Sequence, residues 1–372
     1  MSKIRGVGLG EWLVLEKWMD TSIFEGTESM DEDNLCRVLS DEEKEERYKK
    51  HRDTYIKEED IAYISSLGLN SVRLPIPHFV FGDDEKFCHP YVGCINYVDK
   101  LFDWTEKYGL SVLLDIHTAP DCQNGYDNGG ICGVSKWHLK EENIDRMIDV
   151  LSMLGDRYGK RDNLLGIELL NEPASEAVWE RNKRHYGTHD PQRALGSEAV
   201  PIKTVFDFYL RGYEALRKIM PCDKYIVFHD AFRFPLMKNF FKEHDFKNVI
   251  LDTHMYLDME GVTEYTGTWD HLLKIFRDWD RDITEMQKTV PVIVGEWSLP
   301  HNIDPSLSPE ERYYSYRLMA DAMLMTFEKA LGYYFWSYRV ECYDKAGWDF
   351  RKDIEKGWLP SYFGNVSIND GN

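Results

Sequence analysis

Paired cysteines are missing from this sequence. Seven cysteines are scattered along 372 residues, and no two of them form a Cys-x-x-Cys arrangement. That arrangement supplies the ligands of zinc ribbons and the sulfurs of redox dithiols, so the sequence favours neither kind of site. The simplest expectation is seven free thiols in a reducing compartment.

A long apolar run is missing as well. Residues 1–6 lead directly into a predicted strand, and no run of about 18 apolar residues occurs that would span a bilayer. No apolar signal-peptide stretch precedes that strand. We therefore expect a cytoplasmic protein that does not enter a membrane.

Basic residues are too few to balance the acidic ones. Lys and Arg number 45 against 65 Asp and Glu, which gives a net charge of -20. This charge argues against nucleic acid and anionic membranes as partners, because both are bound through Lys and Arg. The 11 Trp and 22 Tyr offer flat faces that stack on sugar rings, although a large core also uses aromatics.

Short apolar runs alternate with stretches in which apolar residues recur at helical spacing. Eight such strand–helix units predict an α/β fold with a parallel sheet closed on itself, a single (β/α)8 TIM barrel over residues 1–372. The densely charged segment Asp41–Glu59 predicts a solvated helix face. The predicted strands are Ile4–Leu9, Ser71–Pro75, Ser111–Ile116, Leu165–Leu170, Tyr225–His229, Val249–Thr253, Pro291–Gly295 and Tyr333–Trp336. The clearest predicted helices are Tyr97–Tyr108, Ile144–Tyr158, Phe206–Met220 and Arg312–Ala330.

Polar side chains recur where the predicted strands end. Because the carboxyl ends of barrel strands meet at one mouth, where such enzymes place their chemistry, we expect these side chains to converge there. From the second strand to the eighth they are Arg73, Asp115, His117, Asn171, Glu172, His229, Asp230, His254, Tyr256, Glu296 and Trp336.

Two glutamates in this set stand three strands apart, roughly across the mouth. Glycoside hydrolysis needs two carboxyl groups on opposite sides of the anomeric carbon, one to donate a proton and one to attack. The sequence predicts Glu172 as the acid/base and Glu296 as the nucleophile. In a retaining enzyme the two carboxyls stand about 5–5.5 Å apart.

The neighbouring residues predict how each carboxyl is tuned. Asn171 is expected to hydrogen-bond the sugar 2-hydroxyl. Arg73 is expected to lie beside Glu296 and keep it ionised, and Tyr256 is expected to donate a hydrogen bond to the same carboxylate. Burial and the charge of Glu296 are expected to raise the pKa of Glu172, as an acid requires.

Together these residues resemble glycoside hydrolase family 5, and within it the exo-β-1,3-glucanase group known from fungi. The most specific match is His117–Pro120 followed by Gln123–Asn128, a loop typical of that group and not of the cellulases. The likeness runs over most of the chain. Its other blocks are Arg5–Glu16, Ser22–Glu25, His51–Tyr55, Glu58–Ile61, Gly68–Pro75, Asp252–Tyr256, Gly295–Ser298, Phe335–Trp336, Trp348–Phe350 and Gly357–Pro360.

The resemblance implies a retaining β-glucosidase that acts from the chain end on β-1,3-linked gluco-oligosaccharides by double displacement, with no metal and no cofactor. It implies that Tyr126 helps clamp the next sugar at the pocket entrance; a loop aromatic that packs on its neighbours is the alternative. The residues implied to hold the terminal sugar are Glu16, His117, Asn171, His254, Tyr256 and Trp336.

Some positions depart from that group. Gly8 and Glu11 replace an Asn and a Gly of its opening motif, which bears on the packing beneath the site. Met259 stands where the group has a second entrance aromatic, which weakens the expected preference for β-1,3 linkages. The segment Ala177–Pro201 follows the acid/base strand and is expected to form a loop over the leaving-group side.

Four other interpretations stay open at this point. An endo-β-glucanase with β-1,4 or mixed-linkage preference and another β-glucosidase, such as one acting on glycolipid glucosides, share the mechanism. A non-catalytic carbohydrate-binding barrel predicts an altered carboxylate. A metal-dependent barrel hydrolase is suggested by His117, His229 and His254, although no close His-x-His pair occurs. The expected partner is an oligosaccharide or glucoside, and the sequence leaves the oligomeric state open.

Overall fold

Eight parallel strands form the centre of the molecule. The structure, a computed structural model, describes residues 3–185, 187–257, 268–300, 303, 306–342 and 347–364. Each strand pairs with the next along the chain, and the eighth pairs with the first, so the sheet closes into the predicted (β/α)8 barrel. The strands are β1 Ile4–Gly8, β2 Ser71–Ile76, β3 Ser111–Ile116, β4 Leu164–Glu168, β5 Tyr225–His229, β6 Val249–His254, β7 Val292–Trp297 and β8 Gly332–Phe335.

Helices connect the strands and surround the barrel. The four that the sequence predicted are present, and each begins two to four residues earlier than predicted; in the last of them a capping box formed by Ser308 and Glu311 sets the first turn. Among the described helices, none is both long and apolar enough to cross a membrane. The helices are α1 Glu32–Val38, α2 Asp41–Thr54, α3 Glu58–Ser66, α4 Glu85–Cys88, α5 Ile95–Tyr108, α6 Glu141–Tyr158, α7 Glu176–His185, α8 Pro191–Ala194, α9 Ile202–Arg217, α10 Phe234–Glu243, α11 Trp269–Met286, α12 Pro309–Phe327 and α13 Phe350–Glu355. Short 3-10 helices occupy Ser22–Phe24 and Trp137–Leu139.

The charged helix α2 is only partly the solvated surface that its sequence predicts. Most of its side chains are exposed, but His51 and Arg52 are buried. Arg52 donates 2.9 Å hydrogen bonds to the carbonyls of Val92 and Gly93, and the His51 ring lies 2.8 Å from the carbonyl oxygen of Glu11. The bonds of Arg52 attach α2 to the segment after β2, and the contact of His51 attaches α2 to the loop after β1. None of the seven cysteines is in a disulfide, as predicted.

Alternation along the strands divides the core into two layers. Leu114 points outward into the large cluster between strands and helices, and its neighbour Leu113 points into the barrel. The inward apolar residues close the bottom of the barrel, and the inward residues one pleat further on are polar and charged. The apolar set is Ile4, Leu113, Val227, Ile250, Ile293 and Tyr334. The polar set includes Arg73, Asp115, Glu168, His229 and Asp252, all fully buried.

The inward layer gives a stability prediction. Leu113→Ala opens a cavity at a side chain with 0% exposure, so it should lower the free energy of unfolding by about 2–5 kcal/mol. The matched control, Leu318→Ala, removes a side chain that is 54% exposed on α12 and should change it by less than about 0.5 kcal/mol. Urea unfolding measures both, and equal effects would contradict the inward placement of Leu113.

Candidate active site

The first of the two candidate carboxyls follows β4. The backbone of Asn171 donates to the carbonyl of Ile116 at 2.8 Å, which holds the chain against β3 beyond the end of the strand. Glu172 then takes a left-handed backbone conformation, with φ of 47°, and its side chain is buried. Its Oε1 lies 2.7 Å from Nδ1 of His254, and its Oε2 accepts a 3.1 Å hydrogen bond from the amide of Asn128.

The second carboxyl faces the barrel because of an irregularity in β7. The pairing with β6 passes from Thr253–Val294 to His254–Glu296, so Gly295 is an extra residue in β7. Val294 packs on the helices, and strict alternation would send Glu296 the same way. The bulge turns Glu296 inward instead. Its residue must be Gly, because a Cβ there would lie 1.9 Å from a carboxylate oxygen of Asp252.

Three side chains hold the Glu296 carboxyl. Arg73 donates from Nη1 to Oε1 at 2.7 Å, and the Tyr256 hydroxyl donates to Oε2 at 2.8 Å. Both contacts are those that the sequence predicted. His254 Nδ1 lies 3.3 Å from Oε2 of Glu296 as well as 2.7 Å from Oε1 of Glu172.

His254 therefore limits the distance between the two carboxyls. Since both lie against the same nitrogen, the nearest oxygens of Glu172 and Glu296 are at most about 6 Å apart. Inverting glycosidases keep their carboxyls about 6.5–9.5 Å apart to leave room for a water, and retaining ones keep them closer. The geometry is that of a retaining pair.

The protonation of the pair differs from the sequence prediction. Burial acts to raise the pKa of Glu172, but the hydrogen bond from His254 and the charge of that ring hold it below its ordinary value. Burial raises the pKa of Glu296, and the charges of His254 and Arg73 oppose that rise only in part. Although burial lowers the pKa of His254, the charge of Glu296, the carboxylate of Asp252 3.8 Å from Nε2 and the hydrogen bond with Glu172 raise it well above its ordinary value.

The prediction of a raised pKa for Glu172 is therefore wrong for the free protein. It treated His254 as a sugar contact and took no account of a cation beside the acid. Glu172 lies 2.7 Å from a ring whose own pKa is raised, so the two groups titrate together.

A second group of predicted residues lies beside the pair. Asn171 accepts a 2.9 Å hydrogen bond from Arg73, and its amide nitrogen is 3.3 Å from Nε2 of His117. His117 is anchored at Nδ1 by Asp115, 2.5 Å away, and its ring stacks on Trp336 with centroids 5.6 Å apart. All five residues are buried, so each polar edge has a fixed orientation.

The unusual glycine in the opening motif has a structural reason. The indole of Trp336 covers Gly8 and Gly10, and a Cβ would lie 2.8 Å from it at Gly8 and 2.7 Å at Gly10. Glu11 is fully buried with φ of 65°, and its carboxylate accepts a hydrogen bond from the backbone N–H of Glu16. Gly8 thus makes room for Trp336, and Glu11 holds the backbone of Glu16.

Glu16 reaches the site together with an acid that the sequence reasoning missed. Trp18 donates a 2.9 Å hydrogen bond to Oε2 of Glu16, while the buried Oε1 has no partner among the described residues. Burial and the nearby carboxyl of Asp127 raise the pKa of Glu16 well above its ordinary value. Burial likewise raises the pKa of Asp127 to about 7. Asp127 and Asn128 lie within the loop whose sequence was the most specific signal, so that signal was sufficient to find them.

Tyr126 and the segment after β4 pack on each other. The Tyr126 ring is 7% exposed and lies in a small cluster with Val178 and Trp179, and its hydroxyl contacts the guanidinium of Arg181. The segment Ala177–Pro201, predicted as a loop, thus contains most of α7 and all of α8, and α7 packs on the loop of Tyr126. Met259 lies outside the described residues.

Tyr256 has aromatic support that the sequence reasoning also missed. Its ring stacks on Trp348 with centroids 5.0 Å apart, and Trp348 meets the edge of Trp18 at 5.1 Å. Trp348 lies in the tail motif Trp348–Phe350, but no spacing rule in the sequence indicates that this tail reaches β6.

One group of side chains has metal-ligand character. Ligand atoms of Glu172, His229 and His254 lie within 4.8 Å of one another. However, Nδ1 of His229 accepts the N–H of Ala231 at 2.9 Å, which places the proton of this neutral ring on Nε2. Burial and the charge of His254 keep the pKa of His229 well below its ordinary value. A protonated Nε2 offers no lone pair to a metal, so this geometry does not favour the metal-dependent interpretation.

A second group, formed by Glu168, Asp252 and His254, meets the same distance criterion. Here the guanidinium of Arg73 already supplies positive charge, 3.0 Å from Glu168 and 3.8 Å from Asp252. A cation at this place would lie against Arg73, which makes metal binding unfavourable.

Known proteins resemble the chain along most of its length. Residues 40–341 match the family described as Cellulase (glycosyl hydrolase family 5). A glucan 1,3-beta-glucosidase of Blumeria graminis is 31% identical over 96% of this chain and 87% of its own length. A sporulation-specific glucan 1,3-beta-glucosidase of Saccharomyces cerevisiae is 31% identical over 96% of this chain and 85% of its own.

Among solved structures, a rutinosidase from Aspergillus niger has a TM-score of 0.75 at 20% identity, covering 96% of this chain and 98% of that chain. An endoglucanase Cel5A from Thermotoga maritima has a TM-score of 0.57 at 15% identity, covering 96% and 97%. At these identities the likeness shows the fold alone. The family match and the two glucosidases show more: this chain belongs to glycosyl hydrolase family 5, and it is a glycoside hydrolase.

Proposed function

We propose that this protein is a retaining β-glucosidase that removes single glucose units from the ends of β-1,3-linked gluco-oligosaccharides. The observation that carries the proposal is the shared contact of Glu172 and Glu296 with one nitrogen of His254, at 2.7 and 3.3 Å. Two carboxyls this close suit direct attack on the anomeric carbon. The names of the relatives at 31% identity support the linkage.

In the first step, the carboxylate of Glu296 forms a bond to the anomeric carbon while the bond to the leaving oxygen breaks. Arg73 and Tyr256 hold one oxygen each, which leaves the carboxylate oriented for attack. Glu172 donates a proton to the leaving oxygen. That proton comes from the Glu172–His254 hydrogen bond, so His254 is neutral once the leaving group has received it.

In the second step, water attacks the anomeric carbon and Glu296 leaves as a carboxylate. Glu172 takes the proton of the attacking water, and its hydrogen bond with His254 restores the starting distribution. The ester at Glu296 carries no charge, so Glu172 meets less repulsion as it changes from acid to base.

A terminal glucose is the sugar that this site suits. Glu16 and Asp127 are buried carboxyls near each other, and sugar hydroxyls bind well to such acceptors. The amide of Asn171 and the ring of His117 lie beside each other and can hydrogen-bond to sugar hydroxyls, and Trp336 next to them offers an aromatic face.

The two carboxyls should respond differently to removal. Glu296→Ala should lower kcat on every glucoside by roughly 10⁴-fold or more, because no nucleophile remains. Glu172→Ala should lower activity on natural substrates by about 10²- to 10⁴-fold, yet keep glycosylation by aryl glucosides with activated leaving groups. Azide should then restore turnover of those aryl glucosides by Glu172→Ala, since an anion attacks without a general base.

Glu355→Ala, on the exposed end of α13, is the matched control and should leave kcat unchanged. Steady-state kinetics with an aryl glucoside and a laminari-oligosaccharide measure all three variants. Full hydrolysis of the natural substrate by Glu172→Ala would refute its assigned role.

The linkage proposal has its own test. Wild-type protein should release glucose stepwise from laminari-oligosaccharides and leave cello-oligosaccharides largely intact, as followed by chromatography of products over time. Glu296→Ala serves as the blank. Internal cleavage, or activity confined to the β-1,4 series, would contradict the exo-β-1,3 proposal and indicate an endo-β-glucanase or another β-glucosidase.

A further inference from the structure

Four buried carboxyls surround the guanidinium of Arg73 beneath the catalytic pair. Glu296 lies 2.7 Å from it, Glu168 3.0 Å, Asp115 3.1 Å and Asp252 3.8 Å. Arg73, Glu168, Asp115 and Asp252 are fully buried, and Glu296 is 4% exposed. His254 lies 3.3 Å from Glu296 and 3.8 Å from Asp252, so two cations face these four carboxyls and Glu172, and negative charge is still in excess in the buried core. A proton on one of the carboxyls relieves that excess.

The hydrogen bonds indicate which group holds it. Asp115 faces His117 at 2.5 Å as well as Arg73, Asp252 accepts the backbone N–H of Gly295 at 2.6 Å, and Glu296 accepts from Tyr256. Among the described residues, Glu168 accepts only from Arg73, at Oε2. Asp252 has the N–H of Gly295 and also lies 3.8 Å from both Arg73 and His254, so the anion of Glu168 is the less stabilised of the two and Glu168 is the easier to protonate.

Three buried polar atoms, one of them on Glu168, could hydrogen-bond to one another. Oε1 of Glu168, Oδ2 of Asp252 and Nε2 of His254 are buried, and none has a hydrogen-bond partner among the described residues. Ligand atoms of these side chains lie within 4.8 Å of one another, and Nε2 of His254 is 3.8 Å from Oδ2 of Asp252. A small rotation of Glu168, or one water within reach of all three atoms, closes such gaps.

We propose that Glu168 is a buried, uncharged carboxylic acid whose hydroxyl donates to Asp252, directly or through one water, and that this bond sets the proton position on His254. Asp252 then stays ionised and attracts the proton on Nε2 of His254. The other nitrogen, Nδ1, is left to exchange its proton with Glu172, 2.7 Å away. Glu168 is thus a positioning residue that acts through Asp252 and His254. The proposal of its effect on catalysis rests on the proposed function.

The surroundings of Glu168 agree with an uncharged state. Burial raises its pKa well above the ordinary value, Arg73 opposes that rise, and the charges of Asp115 and Asp252 add to it. Titratable and charged groups face it from four strands and one helix, and Glu296 on β7 contacts the same Arg73. The groups that face it are Arg73 on β2, Asp115 on β3, Asp252 and His254 on β6, Tyr334 on β8 and Tyr209 on α9.

Two substitutions at Glu168 distinguish its role as a hydrogen-bond donor from the effect of a negative charge. Glu168→Gln keeps an acceptor for Arg73 and a donor for Asp252 but cannot ionise, whereas Glu168→Leu keeps only the bulk. Glu168→Leu should lower kcat/KM about tenfold, since Asp252 loses a buried hydrogen bond. Glu168→Gln should recover most of the lost kcat/KM. Its activity should fall on the alkaline side at the same pH as that of the wild type.

An ionised Glu168 in the wild type predicts a different pH profile for Glu168→Gln. If Glu168 is an anion in the wild type, Glu168→Gln deletes a negative charge near His254, and the alkaline limb of the kcat/KM profile moves down by about one pH unit or more. That shift would overturn the proposal.

Two further measurements do not depend on activity. Infrared difference spectra of wild type against Glu168→Gln at neutral pH should contain the C=O stretch of a protonated carboxylic acid, sensitive to D₂O. A carboxylate band in its place would overturn the proposal. The wild-type protein should also lose stability relative to Glu168→Gln as pH rises above about 4.5, because the folded state holds a proton that the unfolded chain has released.

Urea unfolding of both proteins measures this loss, which should reach about tenfold in the unfolding equilibrium constant per pH unit. A ratio that does not change with pH would contradict a proton on Glu168. If the spectrum and the unfolding behave as expected but no glucoside is hydrolysed, the proposed function fails and the protonated Glu168 stands. The spectrum and the unfolding of Glu168→Gln decide the matter even if Glu168→Leu does not fold.

Discussion

The guanidinium of Arg73 is the contact on which the rest of the site depends. It donates to Glu296 and Asn171 from separate nitrogens. It therefore fixes the position of the nucleophile relative to the residue that precedes the acid/base Glu172. Buried ion pairs of this kind are a poor source of stability, because desolvation offsets most of the attraction. Their value here is orientation. The further carboxyls that Arg73 gathers are Asp115, Glu168 and Asp252.

His254 is the second buried cation, and it couples the two catalytic carboxyls. A ring that touches both Glu172 and Glu296 makes their protonation a property of the three groups together. This arrangement accounts for an acid whose own pKa is lowered in the free protein. The proton it needs is stored one hydrogen bond away, on a ring whose other edge faces Asp252.

Strand order, barrel closure and the meeting of Glu172 and Glu296 at one mouth were accessible from the sequence, because strand–helix units recur along it and polar residues follow the predicted strands. The inward direction of Glu296 was not. It depends on a one-residue bulge at Gly295, and alternation alone predicts the opposite face. The left-handed backbone of Glu172 is another local feature that spacing does not indicate.

The pKa of Glu172 was predicted with the wrong sign for a related reason. The sequence places His254 at the end of β6, but only the structure shows which of its nitrogens meets Glu172. Asp127 was overlooked although its loop was recognised, because the only residue of that loop to which the resemblance assigned a role was Tyr126. Trp348 lies after β8 and stacks on Tyr256 after β6, and no local sequence pattern indicates that these two segments meet.

The central claim is that Glu296 forms a covalent bond to glucose while Glu172 handles the proton. A 2-deoxy-2-fluoro-glucoside with an activated leaving group slows the second step more than the first, so the intermediate accumulates. Digestion and mass spectrometry of the inactivated protein then locate the sugar. The account predicts one fluoroglucosyl group on the peptide that contains Glu296, and none when Glu296 is replaced by Ala. A label on another residue, or no covalent adduct together with inverted product, would contradict it.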